Sequence, residues 1–443
     1  MRRFPPSARG QTRPGSGERG THGDLRRRRG RAGGRRQQRR PSSGRRRAER
    51  AGPGAVGPVH TMGSSHGGTR IVRHAYAEGD AFMPLLARAH HLWDELAEPY
   101  GAPLLHRTGM LISGGPGAPA VAATIDCALR FGMPHQVLDA EGIRALSPPG
   151  TAVPDDAVGC LDVRAGYVRP EEALALHHRL AEEDGARLRF REPLLSFTCV
   201  RGGVTVRTHQ ETYSCGHLVL CGGAWSRRLL PGLPVPVRPQ RQVQHWFDLA
   251  PEAAGHFAPE RFPVHVWQDP GLFYVMPAVD GPDGGLKCCA EGDPPPCDPD
   301  TLPREASPAE IAEAEHQLRR HLAGTGRWRR AAVCTYPQTP DNHFLLGAAP
   351  GHESVWLATG LGGHGFKFLP VLGEVVLGMV DGTPRFPDEV LAPFAPDRTV
   401  GGAGTAGEDG GASGTGGAAA DGGHGADGEE RAAGAAGPVA GRL

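Results

Sequence analysis

Gly360-Leu361-Gly362-Gly363-His364-Gly365-Phe366-Lys367-Phe368 decides how the rest of this chain is read. It follows Val355-Trp356-Leu357-Ala358-Thr359, an apolar run with the pattern of a buried strand. It precedes Val371, Leu372, Val375, Val376 and Leu377, which recur at helical spacing. The stretch therefore predicts a glycine-rich turn from a strand into a helix. Such a turn aims backbone N–H groups and the positive end of a helix dipole at an anion or an electron-rich ring edge. Lys367 is expected in the first turn of that helix, where the dipole disfavours a cation, so a ligand is expected to hold it there.

Charge is distributed unevenly around that stretch. The 443 residues carry a formal net charge of +1, and the length suits two closely packed domains. Residues 1–50 hold eighteen Arg against three acidic residues, an excess of fifteen positive charges, which leaves −14 for the remainder. The body is thus a mildly acidic chain. Residues 1–56 are Arg, Gly, Pro, Ser and Gln with almost no large apolar side chains, the composition of a disordered segment or a non-specific nucleic-acid arm. That segment lacks the apolar stretch of a signal peptide and is too rich in Gly and Pro for an amphipathic transit helix. No apolar run is long enough for a membrane-spanning helix. Nine Cys without metal-ligand spacing fit a reducing cytoplasm, and no metal site is expected.

Of the 49 basic residues only Lys287 and Lys367 are lysines. In a chain that uses Arg wherever either cation serves, these two positions call for a compact ammonium that a guanidinium fork cannot replace.

From Gly57 the character changes. Gly63-Ser64-Ser65-His66-Gly67-Gly68-Thr69-Arg70-Ile71-Val72-Arg73 joins small residues, which admit a flat ligand to the backbone, to Arg70 and Arg73. Three apart, these arginines can project to one side of a short helical turn, and either can clamp a carboxylate through paired hydrogen bonds. Helices are predicted over 80–98, 118–131, 140–147 and 170–184, with Ser307-Pro308-Ala309-Glu310 opening another as a capping box. Residues 187–221 read as successive strands. The last runs into Gly222-Gly223-Ala224-Trp225-Ser226, a second glycine turn suited to close approach of a dinucleotide. Residues 236–290 are strand-rich, and 394–443 read as a disordered Gly/Ala-rich tail.

Four separated segments together resemble the monomeric sarcosine oxidase and N-methyltryptophan oxidase family, flavin amine oxidases of the D-amino-acid oxidase-like superfamily. They are GSSHGGTRIVRHAY at 63–76, GAW at 223–225, AVCTYPQTPDNHF at 332–344 and GLGGHGFKF at 360–368. The resemblance runs from about Gly57 to Pro393, in order and at similar spacing. It implies an α/β (α+β) fold over 57–393: a Rossmann-like FAD-binding domain, interleaved with an antiparallel substrate sheet drawn mainly from 80–150 and 236–335.

The resemblance also implies roles. FAD is attached covalently through Cys334, with Thr69, Gly223, Trp225, Gly363, His364 and Gly365 beside the cofactor. His66 and Arg70 pack against the flavin ring, and Lys287 meets oxygen on its opposite face. Arg73 and Lys367 clamp the substrate carboxylate, and Tyr274 and Tyr336 line its cavity. The implied reaction converts an N-methyl amino acid and oxygen into the free amino acid, formaldehyde and hydrogen peroxide, in a cytoplasmic monomer that needs no membrane or nucleic acid.

Two departures stand out. Glu291 occupies the position where the family has a His, beyond an insertion of roughly two residues at Pro282-Asp283; an acid there favours a cationic amine or another substrate polarity. The family's opening strand, G-x-G-x-x-G turn and helix are replaced by the Arg-rich segment. Residues before about Gly57 are accordingly read as the product of a shifted frame or a wrong start. The rival readings are a flavin oxidase of another secondary or cyclic amine, and a flavin-free remnant with an Arg-rich nucleic-acid arm.

Overall fold

The computed structural model describes residues 57–400 and, before them, the short strand Ala51–Gly54. The frame-shift and nucleic-acid readings fall on the Arg-rich segment, outside the described residues except for that strand, which pairs parallel with Arg187–Phe190.

Alternation of side chains along strands builds the largest element. Eight strands form one sheet in the order Thr325–Gln338, Arg238–Leu249, Leu286–Glu291, Leu272–Val275, Val264–Gln268, Met110–Gly114, Val158–Asp162 and His135–Leu138. Every neighbouring pair is antiparallel except Val264–Gln268 with Met110–Gly114. Residues opposite one another across a ladder share a face. Trp246 pairs with Lys287, Tyr274 with Cys289, and Gln242 with Cys334. One face therefore collects Lys287, Cys289 and Glu291 along a single strand, with Cys334 and Tyr336 along another.

The opposite face is apolar. Phe247, Val275, Leu286 and Cys288 pack there against Ala314 and Leu318 of helix Pro308–His321. That helix opens with the predicted capping box: Ser307 accepts from Glu310 N–H, and the Glu310 carboxylate accepts from Ser307 N–H.

A second, smaller sheet places the glycine turns. Leu218–Leu220 lies parallel to Val355–Thr359, and Leu345–Ala348 pairs antiparallel on the other side. Both glycine turns thus leave the carboxyl ends of neighbouring parallel strands, where α/β sheets receive ligands. The Ser226 and Thr359 hydroxyls hydrogen-bond to each other and tie the two turns together. Against this sheet, helices Met83–Tyr100 and Leu369–Asp381 pack through Leu85, Leu86, Val371 and Val375. Burying each such side chain stabilises the fold by about 1.5–3 kcal/mol. Among the described residues no helix is long and apolar enough to cross a membrane.

Three local expectations are corrected. Lys367 is not in the first turn of the α-helix: Gly365–Phe368 is a 3-10 turn, and the helix proper begins at Leu369. Four glycines and two phenylalanines in nine residues favour the tighter turn over regular helix. Arg70 and Arg73 are not on a helical turn either. Arg70 opens the strand Arg70–Val72, whose pairing with Gly166–Val168 overrides the three-residue spacing. The tail starts later than 394, because Phe394 is fully buried and Arg398 makes an ion pair with Asp341 at 2.7 Å. One aromatic and one Arg anchor a stretch whose average composition is that of a linker.

Candidate active site

Cys334 lies fully buried on the polar sheet face, in a ring of donors. Gln244 Nε2 lies 2.6 Å from its Sγ, Arg70 Nη2 3.3 Å and His66 Nε2 3.5 Å. The segment carrying His66 and Arg70 is held there by its backbone: Thr335 N–H donates to Gly63 O, and Glu171 Oε1 accepts from the N–H groups of Gly67 and Gly68. Gly67 is required, since a Cβ there would stand 2.3 Å from Gln244 Oε1. Burial alone would raise the Cys334 thiol. Arg70, then His66, then Lys287 outweigh it and lower the pKa to about 7.

Lys287 closes this cluster. Its Nζ donates to Gly67 O at 2.9 Å, Thr69 O at 2.8 Å and Thr69 Oγ1 at 3.1 Å. Burial, reinforced by Arg70, pushes its pKa well below the ordinary lysine value.

A second cluster gathers at the glycine turn. Arg73 Nη2 meets Glu78 Oε1 at 2.6 Å, with both side chains largely buried. Arg73 Nε and Glu78 Oε2 have no hydrogen-bond partner among the described residues. Lys367 Nζ donates to His364 O at 2.8 Å and stands 4.9 Å from the centre of the Tyr76 ring. Tyr76 and His364 hydrogen-bond to each other through the phenol and Nδ1. Burial, then Arg73, brings Lys367 down to about 7. A cavity opens against Arg70, Tyr336 and the Leu361–Gly365 turn. Tyr336 fits against Gly363, where a Cβ would lie 2.5 Å from the ring. Burial holds the Tyr274 and Tyr336 phenols well above their usual range.

Residues 55–379 match the family described as FAD dependent oxidoreductase. The chain belongs to that family. Monomeric sarcosine oxidase of Streptomyces avermitilis is 40% identical over 343 residues, covering 76% of this chain and 88% of the relative. N-methyl-L-tryptophan oxidase of Salmonella heidelberg is 34% identical over 347 residues, covering 76% and 89%. Among solved structures, NikD, an unusual amino acid oxidase essential for nikkomycin biosynthesis, covers 78% of this chain and 90% of its own at a TM-score of 0.67 and 22% identity. Glycine oxidase from Geobacillus kaustophilus covers 79% and 92% at 0.66 and 21%. Those two show the shared fold. The family agrees with the resemblance carried by the four segments, and makes the chain an FAD-dependent oxidoreductase.

The residues present fit the flavin end of FAD. Glycines at 67 and 363 clear space against Gln244 and Tyr336, and a thiol with a lowered pKa sits among cations. His66, Thr69, Arg70, Lys287 and Cys334 form one hydrogen-bonded group. Lys367 and His364 are joined by a hydrogen bond and Arg73 pairs with Glu78, while Gly363, Gly365 and Tyr336 line the cavity with Arg70. Gly223 and Trp225 stand apart at the second glycine turn, where Trp225 Nε1 donates to Asp300 Oδ1 at 2.7 Å. One donor of the first turn is already used, since Gly362 N–H bonds Pro337 O.

Sequence reasoning missed Gln244, Glu78 and Glu171. Gln240, Gln242 and Gln244 alternate along their strand, a polar stripe that would have flagged a buried site face. Glu171 had no such signal, because its partners Gly67 and Gly68 lie in a separate segment, and Glu78, five residues from Arg73, sits in a loop with no periodicity to mark it.

Proposed function

We propose that the protein oxidises an N-methyl amino acid to the free amino acid and formaldehyde, with oxygen reduced to hydrogen peroxide. The observation that carries this is the convergence of two buried cations, Arg73 and Lys367, on the Tyr76 ring, whose centre lies 5.5 Å from the one and 4.9 Å from the other, beside the glycine turn. A buried cation with unused donors is costly unless an anion completes it. Arg73 keeps an unpaired Nε, and Lys367 spends one of its three N–H groups on His364 O. A substrate carboxylate supplies the missing acceptors and fixes the amine end of the molecule toward Tyr336 and Arg70.

FAD, when bound, supplies the two-electron acceptor and passes the electrons to oxygen. The protein's own groups do the positioning. Cys334 is assigned as the covalent anchor, because its lowered pKa leaves a thiolate available near neutral pH. Arg70 and His66 hold that sulfur in place. Lys287 places a compact cation beside Thr69, where it stabilises anionic charge developing on oxygen. Tyr274 and Tyr336, kept neutral by burial, wall the substrate from water.

Sarcosine and N-methyltryptophan, supplied separately under air, test the reading. Formaldehyde and hydrogen peroxide should form in equal amounts from at least one of them. Neither product from either amine, with a flavin-loaded preparation, would overturn it.

A further inference from the structure

Gln244 lies wholly out of solvent in the middle of strand Arg238–Leu249. The ladder with Thr325–Gln338 pairs it with Ala332 and pairs Gln242 with Cys334. Gln244 therefore sits one diagonal step from the sulfur, on the same face. Its carboxamide joins Cys334 to Arg70. Nε2 lies 2.6 Å from Cys334 Sγ, and Oε1 accepts from Arg70 Nη1 at 3.5 Å. Arg70 Nη2 donates to the same sulfur at 3.3 Å, which closes a triangle of three side chains. Two corners are anchored separately. Arg70 also donates to the carbonyls of Ser64 and Thr69. The same loop sets Gly67 against Gln244 Oε1, where no Cβ fits.

The chemistry of these donors decides the state of the sulfur. An amide NH2 and a guanidinium can only donate. Sγ must therefore accept from both, which a thiolate does well and a thiol poorly. The amide can serve only one way round. Reversed, it would set Oε1 against the sulfur and Nε2 against the guanidinium, and both bonds would be lost. The groups on either side thus fix the amide, and the amide keeps sulfur and guanidinium in place. The other titratable groups facing the sulfur are His66 from the loop, Lys287 and Cys289 from strand Leu286–Glu291, and Tyr336 from its own strand. Burial pushes the Cys289 thiol up to about 12 and the Tyr336 phenol well above its usual range, so both stay neutral.

Resting on the reading of Cys334 as the anchor of FAD, we propose that Gln244 is the positioning residue for attachment, its amide holding the Cys334 sulfur as an oriented thiolate until the bond forms. In that step the thiolate's electron pair bonds to the methyl carbon on the flavin ring, and one C–H bond of that methyl breaks. The proton leaves to solvent, and the two electrons of the C–H bond reduce the ring. Oxygen takes those two electrons with two protons and leaves as hydrogen peroxide. Attachment happens once per molecule, so the role of Gln244 is separate from turnover.

The full chain, purified without flavin and then mixed with FAD under air, tests this. Ultraviolet thiolate absorbance, taken as the difference from Cys334→Ser, follows the sulfur with pH. Colour retained after acid precipitation follows attachment with time. In the wild type the sulfur should titrate at about 7. Gln244→Leu keeps the bulk and removes the donor, so its titration should rise by about one to two pH units. Its attachment should slow about tenfold at about pH 7 and recover at about pH 9, where the thiolate returns. A space-filling role would give no such recovery. Gln244→Glu, closer in shape, should block attachment over the same range, because its carboxylate opposes the thiolate. It carries the test where Gln244→Leu fails to fold, and the wild-type titration stands even where neither variant folds. Variants that titrate and attach like the wild type, slow attachment by Gln244→Leu that pH does not restore, or a wild-type sulfur in the ordinary thiol range overturn this inference alone. Wild-type protein that loses all colour on acid precipitation overturns the anchor reading of Cys334, and this inference with it.

Discussion

Lys287 and Lys367 carry the same side chain into two different settings. All three Lys287 donors are satisfied by Gly67 and Thr69, so this ammonium acts through its field. Lys367 hydrogen-bonds only His364 O among the described residues and has donors left for a ligand. Losing a charge-assisted hydrogen bond to a carboxylate costs about 1.5–3 kcal/mol. Lys367→Met should therefore slow anaerobic flavin reduction at low substrate by about ten- to a hundredfold and leave reoxidation nearly unchanged. Lys287→Met should do the reverse. Stopped-flow measurement of each half-reaction checks both; equal slowing of both halves by either substitution would refute the division. Cys334 gives a simpler readout at this scale. Acid-precipitated protein should stay yellow, and Cys334→Ser protein should release its colour.

At the scale of elements, the glycine turn works through what it leaves out. Gly360 and Gly362 take φ values of +66° and +55°, which side-chain-bearing residues rarely adopt. Gly363 has a different reason, because Tyr336 occupies the space a Cβ would need. Gly363→Ala should displace Tyr336, destabilise the protein by about 1–3 kcal/mol and weaken carboxylate binding about tenfold or more. Adding Tyr336→Ala should restore the melting temperature without restoring binding. Calorimetry separates the two effects. A single variant that binds normally would show that the turn tolerates the methyl group and that Tyr336 is not set by it.

At the scale of the whole molecule, closure depends on the segment that follows the last long helix. The Phe394 ring lies 5.0 Å from Phe82 and 5.8 Å from Phe344, centroid to centroid. Arg398 fastens the same segment to Asp341 and to the carbonyls of His343 and Phe344. Phe394→Ala should cost about 3–5 kcal/mol through the cavity it leaves, lowering the melting temperature by several degrees in a calorimetric scan. An unchanged melting temperature would mean that the segment rests on the core without supporting it.

Much of this was legible in the chain itself. The apolar run Val355–Thr359, the spacing of Val371, Leu372 and Val375, and the Ser307–Glu310 box are local patterns, so their strand, helix and cap followed from residues within one or two turns of each other. The scarcity of lysine marked Lys287 and Lys367 by composition alone, and the four motif segments located Cys334 and Arg73. What the sequence could not supply were the partners. Arg73 and Glu78 are five residues apart, and the loop after Arg70–Val72 brings their side chains to 2.6 Å. Glu171 reaches Gly67 across 104 residues. Gln244 meets Cys334 because two strands pair in one register and no other. The charge state of Cys334 depends on burial and on Arg70, His66 and Lys287, brought from distant segments. Local pattern determined the elements and the candidate residues, and only the tertiary structure decided which charges face each other, because electrostatic pairing depends on distance in space rather than along the chain.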